Sequence, residues 1–273
     1  MVVTAGSLRL VGERWPGDGP VVVLLHAGVA DRRSWYEVAK KLVEEATVVA
    51  YDRRGFGETA PSTAPFSHVE DLLAVLDEVA DGPAWLVGSS IGGSLALDTA
   101  LLEPSRVARL VLLAPAVNGA PKAHLDADTQ RFETLLDRAV EAADLEEINR
   151  LETWLWLDGP SQPEGRVSGS KRELARDMNA VVLHNGVPEG TGASGIDAWS
   201  RLGEIQAPTT VASGDLDVPF VASRSRELTD RLPNARHRVL GGMAHLPYLE
   251  QPEAVAGLLA EALKADGRPL SRP

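Results

Sequence analysis

The chain of 273 residues, 44% of them hydrophobic and 24% charged, is long enough to bury one sizeable core. Its 27 basic and 39 acidic residues leave a net charge of -12, which excludes a surface built to hold nucleic-acid phosphates or anionic lipid headgroups. No cysteine is present, so disulfides, thiolate chemistry and cysteine-ligated metals are excluded as well.

The first residues carry no basic segment followed by an apolar run, so no secretory signal is expected and the protein is read as cytoplasmic. Residues 7–14 predict an exposed edge strand. Residues 21–25 and 47–51 are continuous apolar runs, as are 84–87, 107–113 and 209–213 further on, and residues 236–240 read as one more strand. Runs apolar on both faces suit parallel strands covered by helices on both sides. The longest runs are strand-sized, against the roughly 20 residues a membrane span takes, so no membrane partner is expected. Between the strands lie helical patterns. Residues 34–45 place Trp35, Val38, Ala39, Leu42 and Val43 at helical spacing, and 69–79 repeat the pattern. Residues 91–102 are apolar nearly all round, as a buried central helix would be. Residues 252–263 open on a proline and read as the closing helix. Strand and helix alternating in this way predict an α/β fold with a mostly parallel, doubly wound sheet.

The alternation stops over residues 118–202. Residues 129–142 and 145–157 predict helices, and the Gly-, Pro- and Ser-rich stretches 160–169 and 186–195 predict loops. This stretch is expected to form a helical lid over a core made of residues 1–117 and 203–273, of which the last nine are expected to be frayed.

The sharpest chemical signal is Gly88-Ser89-Ser90-Ile91-Gly92, set between a predicted strand and a predicted helix. That context fits a nucleophile elbow, in which a strained turn lifts the serine hydroxyl clear of the sheet. Gly88 and Gly92 leave room for the backbone to fold tightly, and Gly93 lets the helix approach the next strand. A serine nucleophile needs a base, and the base needs an orienting carboxylate, in the chain order Ser, acid, His. After the strand 209–213 comes Gly214-Asp215-Leu216-Asp217-Val218-Pro219, and after 236–240 comes Gly241-Gly242-Met243-Ala244-His245-Leu246-Pro247. Ser90, then Asp215 or Asp217, then His245 fit the required order. An oxyanion hole would use the N–H of Ile91 and an N–H from His26-Ala27-Gly28-Val29, the loop after residues 21–25.

The chain resembles the α/β-hydrolase superfamily in its lidded, lipase- and esterase-like branch. Four blocks carry the likeness: Leu24-Leu25-His26-Ala27-Gly28, Asp52-Arg53-Arg54-Gly55-Phe56-Gly57, Gly88-Ser89-Ser90-Ile91-Gly92-Gly93, and Gly241 to Pro247. The resemblance implies Asp217 rather than Asp215 as the acid, a loop-supporting role for His26, and a bracing turn at Asp52 and Arg54. Where the family usually has His-Gly, this chain has His26-Ala27, so the second oxyanion donor is expected at Gly28, with Val29 as the alternative.

Val29, Trp154, Trp156, Val218 and Leu246 are expected to line the substrate pocket, with at least one of the two tryptophans in the pocket or lid core. Arg32 and Arg33 are expected in a solvated turn. His68, His124, His184 and His237 show no metal-ligand spacing, so neither metal nor cofactor is expected. The expected partner is a small-molecule substrate, a small or medium carboxylic ester or lactone cleaved through an acyl-enzyme. Carbon–carbon bond hydrolysis and cofactor-free perhydrolysis use the same triad, and ligand reception with slow hydrolysis is a third possibility. The composition leaves the oligomeric state open.

Overall fold

The structure, a computed structural model, describes residues 1–6, 8–62, 64–186 and 194–264. Among the described residues eight strands form the sheet: β1 (Val2–Ala5), β2 (Leu8–Trp15), β3 (Val21–Leu25), β4 (Thr47–Tyr51), β5 (Ala84–Ser89), β6 (Val107–Leu113), β7 (Thr209–Gly214) and β8 (Ala235–Leu240). Their order is β1-β2-β4-β3-β5-β6-β7-β8. β1, β2 and β4 pair antiparallel, and every pair from β4 across to β8 is parallel. The predicted edge strand is therefore second from the edge; four residues at the very start pair with it outside.

The helices are α1 (Tyr36–Leu42), α2 (His68–Val79), α3 (Ile91–Leu102), α4 (Ala127–Glu141), α5 (Leu145–Thr153), α6 (Ser170–Asn185), α7 (Ala198–Arg201), α8 (Pro219–Arg231), α9 (Pro247–Glu250) and α10 (Pro252–Lys264). Side chains along a strand alternate between faces, so the apolar runs split into two cores. Val23, Leu25, Leu86, Leu110 and Val211 pack with Leu72 and Leu76 of α2 and Leu95 of α3. Val22, Leu24, Val87, Val111 and Ala212 pack on the other face with Trp35, with Val38 and Leu42 of α1, and with Val255 and Leu259 of α10. Both faces of the central strands are dry, which is why those strands read as unbroken apolar runs.

Between β6 and β7 the chain makes α4, α5 and α6. Phe132, Ala139, Ile148, Leu151 and Leu155 form a small core of their own, closed by Ala114, Val218 and Val221. The predicted helix 145–157 is regular only to Thr153; Trp154–Asp158 widen into a π-helical turn. Such turns insert an extra residue per turn and are frequent at functional sites. Ala198 and Trp199 of α7 pack into the main core with α3 rather than with α4–α6. The loop expected at 186–195 falls mostly on residues outside those described, as do the last nine residues. Among the described residues no helix is long and apolar enough to cross a membrane.

Candidate active site

Strand register brings the separated motifs together. Leu25 pairs with Gly88, so the loop after β3 emerges beside the turn after β5. Gly214 pairs with Leu240, so the loops carrying Asp217 and His245 emerge side by side at the carboxyl end of the sheet.

Ser90 sits at that end with φ 53° and ψ -119°, a conformation that L-residues avoid. Holding it costs about 1–3 kcal/mol, which the surroundings must over-determine. The Ser90 N–H donates to the Leu113 carbonyl at 3.0 Å, and the Ser90 carbonyl accepts from Ala116 at 2.9 Å and Gly93 at 2.9 Å. The flanking glycines are needed for space. A Cβ on Gly88 would stand 2.3 Å from the Gly92 carbonyl oxygen, one on Gly92 2.3 Å from that of Leu25, and one on Gly93 2.7 Å from the Pro115 side chain. Helix α3 starts directly after Ser90, so its first N–H groups, Ile91 among them, lack partners within the helix.

His245 Nδ1 lies 2.8 Å from Asp217 Oδ2, and Asp217 Oδ1 accepts the Val218 N–H at 2.7 Å. Asp215 turns elsewhere and accepts the Gly242 N–H at 2.6 Å. The geometry thus brings Asp217, and not Asp215, to His245. The His245 N–H donates to the Trp156 carbonyl at 3.2 Å, and the two rings lie 4.6 Å apart. Glu250 accepts the Ala244 N–H at 2.7 Å and pairs with Arg166 at 2.6 Å. Burial pushes the Glu250 carboxyl above its ordinary range. Arg166 also donates to the Leu157 and Asp158 carbonyls, so the loop bearing His245 is tied to the π-helical turn.

The loop after β3 is held from below. His26 is buried and kept neutral by that burial and by the nearby Arg53 guanidinium. Its Nε2 accepts the Arg53 N–H at 3.1 Å, which leaves Nδ1 to donate to the Ala27 carbonyl at 2.8 Å. Arg53 donates to the carbonyls of His26 and Ala27, both at 3.1 Å. The Ala27 N–H is taken by the Tyr248 hydroxyl at 3.4 Å. Gly28 faces the helix start: a Cβ there would stand 3.1 Å from Ile91 Cδ1. Asp52 accepts the N–H groups of Arg32 and Glu58, and Arg54 forms a two-pronged pair with Asp71.

A cavity of about 550 Å³ opens beside the helix start, walled by Gly28, Val29, Ile91, Phe56, Leu95 and Leu183 among others. Of the five residues expected to line a pocket, Val29 borders this cavity. Trp156 and Leu246 border a second, smaller one that shares Val29, Glu152 and Asn179. Trp154 and Val218 border neither. The wider turn aims Trp154 at Phe132, ring centroids 5.0 Å apart, with its indole N–H on the Gln162 carbonyl at 2.8 Å. Val218 is buried in the same small core. Arg32 and Arg33 are not in a solvated turn either. Arg32 is buried and pairs with Asp52 and Glu58, and Arg33 bridges Asp31 to Asp177 of α6. Sequence reading missed the polar residues of the cavity wall, Ser94, Asn118, Asn179 and Ser194, and its charged or titratable ones, Arg53, His68, Asp98 and Glu152. Asp98 alone had a legible signal, because residues 90, 94 and 98 recur every fourth position on α3.

The alpha/beta hydrolase fold family matches residues 20–252. The chain belongs to that family. A pimeloyl-[acyl-carrier protein] methyl ester esterase of Chromobacterium violaceum is 28% identical over 260 residues, 91% of this chain and 96% of its own. A proline iminopeptidase of Clostridioides difficile is 26% identical over 94% of each chain. Among solved structures, a thermophilic esterase from Thermogutta terrifontis superposes with a TM-score of 0.76 at 23% identity, covering 97% of both chains. The family places the fold; residues at the strand ends have to argue the chemistry.

Proposed function

We propose that this α/β hydrolase is a serine hydrolase of small or medium carboxylic esters and lactones. One observation carries the reading: a serine held in a disfavoured conformation at a strand–helix turn, at the same carboxyl end of the sheet as a buried histidine–aspartate pair. Strain of that kind persists where a hydroxyl has to be presented.

In this reading His245 takes the proton of Ser90 as its Oγ attacks the substrate carbonyl. Asp217, fixed by the Val218 N–H, holds the imidazole by Nδ1 and stabilises its charged form. The oxyanion forms against the N–H groups of Ile91 and Gly28, since the Ala27 N–H is already engaged. His245 then protonates the departing alcohol, and a water activated by the same imidazole hydrolyses the acyl-enzyme. Donors that are fixed before charge develops are what make such sites effective. The cavity, within the roughly 300–1,000 Å³ of small-molecule sites, takes the acyl part. The esterase and iminopeptidase relatives support hydrolysis at a carbonyl.

The test is hydrolysis of p-nitrophenyl esters from acetate to decanoate by wild type and Ser90→Ala, with fluorophosphonate labelling of both. Turnover and labelling that vanish together in Ser90→Ala are expected. Turnover that survives the substitution, or label found on another residue, refutes the assignment.

A further inference from the structure

One face of α3 runs from the nucleophile into the cavity. Ser90, Ser94 and Asp98 recur at every fourth residue, so they share that face, and Ser94 and Asp98 both border the cavity with Leu95 between them. At 1.5 Å per residue, Asp98 lies about 12 Å along the helix axis from Ser90.

Asp98 is an unusual residue to find there. It is only 3% exposed, and no lysine or arginine pairs with it among the described residues. Its Oδ2 accepts from Asn118 Nδ2 at 2.7 Å and Ser194 Oγ at 2.5 Å. Its Oδ1 is buried without a hydrogen-bond partner among the described residues. Asn118 and Ser194 also border the cavity, so the three side chains make one polar patch of a wall that holds Val29, Phe56, Phe66, Leu95 and Leu183, with Arg53, His68, Glu152 and Asn179 as its other polar or charged members. A carboxylate oxygen left without a donor in a dry setting is costly, and a native fold that keeps one has a use for it. Oδ1 is buried as it stands, and rotation about the Cβ–Cγ bond, which is broad in aspartate, would bring it to a ligand in the cavity. Burial without a cationic partner pushes the carboxyl upward, and the hydrogen bonds from Ser194 and Asn118 oppose that shift.

Building on the serine-hydrolase reading, we propose that Asp98, with Asn118 and Ser194, forms a specificity subsite for an acyl chain tipped by a hydrogen-bond donor, a hydroxyl or an ammonium group. An ionised carboxylate only accepts, so it selects donors and rejects an aliphatic or carboxylate tip. The subsite works as a ruler: the carbonyl stands at Ser90 and the donor reaches the far end of the same helix face. A chain too short leaves Asp98 unsatisfied, and one too long cannot place its carbonyl.

The experiment compares methyl esters with plain, ω-hydroxy and ω-amino acyl chains from butanoate to decanoate, in wild type, Asp98→Leu and Asp98→Asn. The reading is the ratio of kcat/KM for tipped over plain chains within each protein. In wild type the ratio should peak at one chain length at about tenfold to hundredfold, the range of a hydrogen bond to a charged group. In Asp98→Leu it should fall to one or below. Asp98→Asn retains an acceptor oxygen and the side-chain shape but not the charge, so the ω-amino preference should collapse further than the ω-hydroxy one. Ratios that are alike in wild type and Asp98→Leu, or a wild-type preference for plain chains at every length, overturn the subsite. A wild type that cleaves plain esters with no tip preference overturns the subsite and leaves the hydrolase intact. If wild type cleaves no ester, calorimetric binding of the same esters to Ser90→Ala and to Ser90→Ala/Asp98→Leu decides. Tighter binding of tipped chains, lost in the double variant, supports the subsite; equal binding in both refutes it.

Discussion

His68 should make the fold acid-sensitive. The ring opens α2, borders the cavity, and is half-buried facing Arg53 and Arg54, with a Nδ1 that has no partner among the described residues. Burial first, then the two guanidinium charges, push its pKa down to about 3. A proton there would also sit at the positive end of a helix. The unfolded histidine titrates near 6.5. Between those values the unfolded chain binds the proton and the native chain does not, so stability is full above about pH 6.5 and is lost as pH falls. Going from pH 8 to pH 5, the linkage amounts to about 2 kcal/mol for a fully shielded ring. Solvent reaching the ring reduces it to about 1–2 kcal/mol. For a chain of this size that is a Tm change of about 2–4 °C. The assay is differential scanning calorimetry of wild type and His68→Gln from pH 8 to pH 5. The wild type should lose that much more Tm than the variant over the acid limb. Parallel curves would mean that His68 is solvated and protonates freely in the fold, and the reasoning would be wrong.

Three further outcomes follow from the same geometry. Asp217→Asn should lower kcat for an ester by on the order of 10³–10⁴, since the imidazole loses its orienting charge, while Asp215→Asn should stay within about twofold; the reverse order in steady-state assays would reassign the acid. Gly92→Ala sets a Cβ 2.3 Å from the Leu25 carbonyl and 2.7 Å from that of His26. Both obstacles are backbone, so urea denaturation should report a loss of about 3 kcal/mol or more, at the upper end of overpacking costs; a loss below 1 would mean that β3 and α3 yield easily. Arg166→Ala strips the buried Glu250 of its cation and removes the side-chain ties from Glu250 and Gly242 to the Leu157 and Asp158 carbonyls, leaving the His245 N–H on the Trp156 carbonyl as the remaining link. It should cost about 2 kcal/mol and reduce kcat more than it raises KM, whereas an unchanged kcat would show that the loop holds itself.

How much of this was legible in the sequence depended on how local the cause was. The strands β3 to β7 were readable because both faces of each are dry, which leaves an unbroken apolar run. The elbow was readable because a tight turn against two neighbouring backbones tolerates no Cβ at Gly88 or Gly92, so the constraint is written into adjacent positions. Helix α8 was not, because its buried stripe is Val221, Ser225 and Leu228, three residues of which one is polar. Helix α6 starts at Gly169 with no side-chain cap and buries only Ala175, Met178 and Asn179, so its periodicity is faint. Trp154 packs into the small core instead of lining a cavity for another reason: a π-helical turn shifts the faces that α-helical spacing assigns, and Trp156 is the one of the two that borders a cavity.

The cavity shows the same dependence from the other side. Its wall takes Arg53 from the turn after β4, Asp98 from α3, Glu152 from α5 and Asn179 from α6, positions with no common period and no shared motif. What joins them is the docking of α5 and α6 over the sheet edge, and that docking runs through Arg166, Glu250 and the His245 N–H on the Trp156 carbonyl. The backbone that positions His245, the proposed base, is therefore bonded to the segment that shapes the cavity. Changes in the insert that alter substrate fit should also be felt at His245, and specificity and rate in this chain are expected to vary together rather than separately.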